Sequence, residues 1–229
     1  MPPEKPVRVA IGETLTDSQL VRRVLSGEAA LFEILVHRHS QRLYRTARAI
    51  LRDDDEAADV VQETYLRAYR NLKQFAGRAR FSTWLTRIAI YEARARIRKS
   101  RIRGDKRGAA AAAKAPGEEP ATEADAEKQV LAREIRAMME AAIDALPDLY
   151  RTVFVMRGVE EMSTADTAEC LNLSEDAVKT RLHRARALLR RKLYAAAGPK
   201  RREAFRFAGQ RCVRMWEEKI RPALSLAGR

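Results

Sequence analysis

The chain has 229 residues, enough for one or two domains that each bury a core, and its 45 Lys and Arg against 31 Asp and Glu leave a formal charge of +14. That balance points to a polyanionic partner, since neutralised phosphates supply much of non-specific nucleic-acid affinity, but it leaves DNA, RNA and anionic lipid open. Cys170 and Cys212 stand far apart, no CxxC occurs, and His37, His39 and His183 have no cysteine partner at zinc spacing, so neither a metal site nor a cofactor is expected. No apolar run reaches the length of a secretion signal or a membrane span, so the reading is a cytoplasmic protein without membrane insertion.

Residues 1–14 read as a loose leader. From Leu15 to Arg103 the chain is nearly all helix former, with Gly27 and Gly77 as interruptions. Leu31, Phe32, Leu35, Leu43, Tyr44, Ala47, Ile50 and Leu51 recur at helical spacing and predict one long helix, with a bend allowed near Ser40. A second helix is predicted from about Glu56 to Leu72, with Val60, Val61, Thr64, Tyr65, Ala68 and Leu72 inward. A third is predicted with Ser82 as its cap and Leu85, Ile88, Ala89 and Ile97 on the core face. The period of 3.6 and the lack of strand-like alternation make the fold class all-α, a helical bundle.

Gly104 to Asp125 is rich in alanine, contains Pro116 and Pro120 and offers few apolar anchors, the composition of a flexible tether. A second small helical domain is expected after it. Pro147 suits the opening of a helix with Asp148 in its first turn, and Val153, Phe154 and Met156 fill the bundle. Cys170, among apolar helix positions, reads as a small buried hydrophobe. The expected division is 15–103, a linker at 104–126, a second domain at 127–195 and a basic, amphipathic extension at 199–229.

The most specific signal runs from Ser163 to Leu193, STADTAECLNLSEDAVKTRLHRARALLRRKL. It gives a short helix, a turn at Leu171-Asn172-Leu173 and a second helix capped by Ser174, the layout of a helix-turn-helix that enters a DNA major groove. Lys179, Thr180, His183 and Arg184 fall at i, i+1, i+4 and i+5, one outward stripe suited to base edges, while Arg186, Arg190, Arg191 and Lys192 suit phosphates. Ala177, Val178, Leu182 and Leu189 are expected to face the domain. The competing reading is a basic helix face that merely meets water; the agreement of turn, cap and apolar spacing speaks against it.

A second signal lies between Arg78 and Arg107, with eleven Lys and Arg against Glu92 and Asp105. Phe75, Phe81, Trp84 and Tyr91 are interleaved with these cations, as single-stranded DNA binding requires: unstacked bases need a π-face while their phosphates are neutralised. Ordinary core packing competes for Phe81 and Trp84, which shares a face with Ile88. The third signal has the opposite sign. Asp53, Asp54, Asp55, Glu56, Asp59 and Glu63 read as a cap cluster plus a protein-facing surface, with Gln62, Tyr65, Arg67 and Tyr69 as exposed contact residues and a solvated face as the competitor.

Together these segments resemble the extracytoplasmic-function branch of the bacterial sigma-70 factors, initiation subunits of RNA polymerase. DEAADVVQETYLRAYRNLKQF (Asp55 to Phe75) and FSTWLTRIA (Phe81 to Ala89) resemble its region 2, and Ile143 to Leu193 resembles its region 4. The resemblance implies a protein that is not an enzyme, with core RNA polymerase (β′ coiled coil and β flap), promoter DNA and an anti-sigma factor as partners. It implies polymerase contact at Asp59, Gln62, Glu63, Arg67 and Arg70. It implies −10 recognition and melting by Phe75, Arg78, Arg80, Phe81, Ser82, Trp84, Arg87, Tyr91, Arg94 and Arg98. Contact with the −35 element falls to Lys179, Thr180, His183, Arg184, Arg186, Arg190 and Arg191. Tyr91 and Ala95 stand where many members carry asparagine near the flipped −10 base. The alternative function is a helix-turn-helix regulator without melting activity, which has no need of the basic-aromatic segment; an RNA-binding scaffold would suit the charge but not the capped second helix.

Overall fold

The computed structural model describes residues 15–103 and 123–196. The leader, Cys212 and the C-terminal extension lie outside these residues, as does the tether up to residue 122. Every described element is helical, and among the described residues no helix is long and apolar enough to cross a membrane.

Helix α1 (Asp17–Leu25) opens on a reciprocal cap: Thr16 Oγ1 accepts the Gln19 N–H while Gln19 Oε1 takes the Thr16 N–H at 2.7 Å. Gly27 at φ 114° turns the chain into a 3₁₀ turn at Ala29–Leu31 that feeds α2 (Phe32–Leu51). Helix α2 is continuous through Ser40, whose hydroxyl donates to the Val36 carbonyl at 2.6 Å. It ends where Arg52 enters the left-handed region at φ 58°. Asp53 caps α3 (Asp54–Arg70) by accepting the Glu56 N–H at 2.8 Å, so part of the acidic cluster is indeed a cap. Helix α4 (Phe81–Arg103) follows a loop that turns at Gly77.

Helices α2, α3 and α4 pack against one another, and their shared interior holds Leu35, Leu43, Ala47, Ala57, Val60, Leu85, Ala89 and Ala93. The alanines let three backbones approach closely, and α1 adds Leu20, Val21 and Val24. Two expectations are corrected. Ser82 is not a cap: α4 begins one residue earlier, the Arg80 carbonyl takes the Trp84 N–H at 3.0 Å, and Ser82 lends its own carbonyl to Thr86. Tyr65 is not an exposed contact residue: it is buried, and its hydroxyl donates to the Val36 carbonyl at 3.0 Å.

Helix α5 (Glu123–Asp144) starts ahead of the expected boundary, because its alanine- and glutamate-rich opening is itself a good helix former. Pro147 caps α6 (Asp148–Phe154), which widens into a π-turn at Val155–Val159. Gly158 sits in that turn, where a Cβ would lie 3.1 Å from the Phe154 ring. Helices α7 (Thr164–Leu171) and α8 (Glu175–Ala196) complete the described chain.

By its contacts the chain divides into two compact units, the first holding 15–103 and 146–186 of the described residues, the second 123–145 and 187–196. The second unit buries Ala142 and Leu189. In the first unit α6 and the π-turn pack on α2, and α7 packs on α4, so this grouping differs from a split at residue 127. Arg151 shows why. Its side chain is fully buried, and it donates to the Ala49 carbonyl on α2 at 2.6 Å, to the Leu146 carbonyl at 2.9 Å and to Asp148 Oδ1 at 2.7 Å.

Candidate nucleic-acid interface

The helix-turn-helix is built from local chemistry. Ser163 caps α7, accepting the Asp166 N–H at 2.9 Å. Asn172, left-handed at φ 56°, closes that helix, and the Leu173 N–H returns to the Ala168 carbonyl. Ser174 Oγ then accepts the Ala177 N–H at 3.2 Å, with Glu175 and Asp176 beside the free amides of the first turn of α8. Val178, Leu182 and Ala185 are buried and fix the helix in rotation. Lys179, Thr180, His183, Arg184, Arg186, Arg190 and Arg191 are all exposed on its other side. Lys179 Nζ lies 3.1 Å from Asp176, and Arg184 Nη1 reaches toward the Tyr150 hydroxyl at 3.4 Å.

The second surface is the outer side of α4. Phe75, Phe81 and Trp84 form one aromatic cluster, with ring centroids 5.4 Å to 5.6 Å apart. Phe81, at 2% exposure, is the buried member, so its ring has no face to offer a base and instead supports the two half-buried rings beside it. Tyr91 differs: it is 57% exposed, with the guanidinium groups of Arg67 and Arg98 near its ring at 5.7 Å and 6.0 Å. These residues line a groove with Trp84, Arg87 and Arg94, whose far wall is Glu169, Cys170 and Asn172. Arg78, Arg80, Arg87, Arg94 and Arg98 are exposed, and Ser82 is half-buried.

On α3, Asp59, Gln62 and Arg70 are exposed, and Glu63 and Arg67 are partly so. Asp59 and Glu56 share Arg96, at 3.3 Å and 2.6 Å, so α4 supplies a counter-charge that acid density alone did not reveal. Arg67 is likewise held by Glu92 at 2.8 Å. Tyr69 is exposed as expected, and next to it Leu66 is exposed as well, an apolar contact residue that charge density along α3 does not reveal. Cys170 is buried, and burial pushes its thiol up to about 12.

Comparison with known proteins gives these surfaces a common context. Sigma-70 region 2 matches residues 35–102, and sigma-70 region 4 matches residues 136–189. The ECF RNA polymerase sigma factor SigW of Bacillus subtilis (strain 168) is 34% identical over 181 residues, covering 76% of this chain and 94% of the relative. The chain belongs to the extracytoplasmic-function branch of the sigma-70 factors. The solved structure of the relative CnrH, in complex with the cytosolic domain of CnrY, covers 77% of this sigma factor and 96% of its own chain at 29% identity, with a TM-score of 0.54. RpoE of Bartonella quintana, solved with the anti-sigma factor NepR, shares the all-α fold at 21% identity with a TM-score of 0.58, covering 71% of this chain and 96% of its own. Membership in this family makes the protein a non-catalytic one, whose work is done by binding.

Proposed function

We propose that this sigma factor directs core RNA polymerase to its promoters, with three surfaces used in sequence. The stripe Lys179, Thr180, His183 and Arg184 reads the −35 duplex in the major groove, and Arg186, Arg190 and Arg191 hold its phosphates. The outer side of α4, from Arg78 to Arg98, takes unpaired −10 bases: Trp84 and Tyr91 supply π-faces, and the arginines around them neutralise the strand. The α3 flank from Asp59 to Arg70, with Leu66 and Tyr69 as its apolar part, meets the β′ coiled coil of the polymerase, and the helix-turn-helix region meets the β flap. An anti-sigma factor is the expected inhibitor, as in the complex of RpoE with NepR.

The observation that carries this reading over a regulator that never opens DNA is the exposed Tyr91 between Arg67 and Arg98, beside Trp84. A protein that binds only duplex has no use for aromatic faces set among cations. The test is transcription in vitro with core polymerase on a promoter upstream of the protein's own gene, with permanganate probing of the −10 thymines. The parent protein should initiate and open the strand. Trp84→Ala should lower thymine reactivity far more than polymerase binding, with circular dichroism unchanged. Polymerase binding without any opening by the parent would favour the regulator instead.

A further inference from the structure

Helix α4 carries seven arginines and lysines and a single acid, Glu92. That acid is turned away from solvent: it is 8% exposed and faces α3, where its Oε1 lies 2.8 Å from Arg67 Nη1. The contact is an ion pair without an aligned hydrogen bond, and among the described residues Glu92 Oε1 has no hydrogen-bond partner. A buried carboxylate is costly unless a cation compensates it, and an acid beside a phosphate-binding surface repels the strand. What the geometry sets against those costs is the placing of Arg67. That arginine belongs to α3 but not to the stripe that Asp59 opens. At about 100° per residue, Leu66 and Arg70 return to within about 20° of Asp59, whereas Arg67 stands about 80° away, on the edge next to α4. From there its guanidinium carbon lies 5.7 Å from the centre of the Tyr91 ring, in the groove that Arg94 and Arg98 also line. Tyr69, on the opposite edge of α3, packs against Phe32 at 5.1 Å instead.

We infer that Glu92 is a positioning residue for the strand-binding surface: it pins Arg67 beside Tyr91, and Arg67 contacts the unpaired −10 strand rather than the polymerase. The inference rests on the reading of α4 as the surface for melted DNA. An arginine on a helix surface samples many rotamers, and ordering it at the moment of binding offsets part of what its contacts contribute. The pair with Glu92 orders it in advance. Because the guanidinium is planar, holding it beside the Tyr91 ring extends the π-surface offered to a base. The Arg67 side chain is 43% exposed, so its remaining N–H groups are open to a phosphate.

The sign of one substitution is decisive. Glu92→Gln removes a negative charge beside the strand, and by charge alone it would tighten binding. Acting through Arg67, it should instead weaken binding several-fold. The measurement is anisotropy of a fluorescent single-stranded oligonucleotide carrying the non-template −10 sequence of the promoter upstream of the protein's own gene. It is made on holoenzyme, with core polymerase alone as the blank. Arg67→Ala would leave the Glu92 carboxylate buried without its cation, so Arg67→Gln is combined with Glu92→Gln, and circular dichroism checks the fold. This double variant should weaken strand binding at least as much as Glu92→Gln and lower the slope of log affinity against log salt by about 0.7. Its association with core polymerase should keep the parental rate. Parental or tighter strand binding by Glu92→Gln would overturn the inference, as would slowed polymerase association by the double variant with strand binding intact. A third protein, Tyr91→Leu with Arg98→Gln, separates the two readings. If it binds the strand weakly while the Arg67 and Glu92 variants bind it normally, the inference alone falls. If all three bind at the parental level, the reading of α4 falls with it.

Discussion

Arg184 and Arg191 lie seven residues apart on α8, about 10 Å along its axis, and the proposal gives them different tasks. Arg184→Ala should cost about 1–3 kcal/mol on the preferred −35 duplex and relax specificity. Arg191→Ala should weaken matched and scrambled duplexes alike and lower the slope of log affinity against log salt by roughly one unit. A salt titration of both variants on both duplexes decides, and equal losses for Arg184→Ala would remove it from base reading. What could be read at this scale was local chemistry: Ser174, Asn172 and the exposed stripe follow from neighbours within four residues. Arg151 could not be read that way. In sequence it is one more arginine on a short helix, and its decisive acceptor on Ala49 is 102 residues away. Phe81 was ambiguous for a related reason, since an aromatic residue at helical spacing suits core and ligand surface equally until its neighbours are known.

The helices themselves were legible because the apolar period repeats for several turns in α2 and α3 and because Asp53, Pro147 and Ser174 mark helix starts. The pairing of helices was not, since a carboxylate says nothing of which helix will bring its counter-ion. Asp59 is the instance that matters: it lies on the proposed polymerase surface and also within reach of Arg96. Asp59→Lys and Glu63→Lys should each slow association with core polymerase, most clearly at low salt, while binding of the full chain to −35 duplex stays at the parental level. Asp59→Lys also confronts Arg96 and should lower thermal stability slightly, whereas Glu63→Lys should not. Stopped-flow association with labelled core enzyme separates the two effects. A parental rate for Glu63→Lys would return that acid to the solvated face.

For the molecule as a whole, acid is the informative perturbant. Asp17 joins α1 to α2 through His39 at 2.9 Å and Arg38 at 2.7 Å. Burial opposes its carboxylate, yet those two partners hold its pKa below the ordinary 3.8. A carboxyl depressed in the folded state binds its proton more readily when unfolded, so its stabilising contribution is complete above 3.8 and fades as pH falls through the folded value. Asp17→Asn should therefore lower the urea midpoint by a constant amount near neutrality, and that deficit should shrink below the ordinary carboxylate range. A deficit independent of pH would mean that Asp17 acts through packing alone.

The π-turn gives the first unit a property that no side chain could. Across Val155–Val159 the Glu160 N–H reaches back five residues to the Val155 carbonyl, one residue more than an α-turn encloses. Each residue advances a helix by about 100°, so the extra one sets the bearing at which the chain leaves α6 and at which Glu160 meets Arg42 and Arg45. Substitutions along this contact adjust its strength, whereas the gain or loss of a single residue re-aims it. For descendants of this gene, segment length is heritable information of a different kind from residue identity: a dial on one hand, a compass on the other.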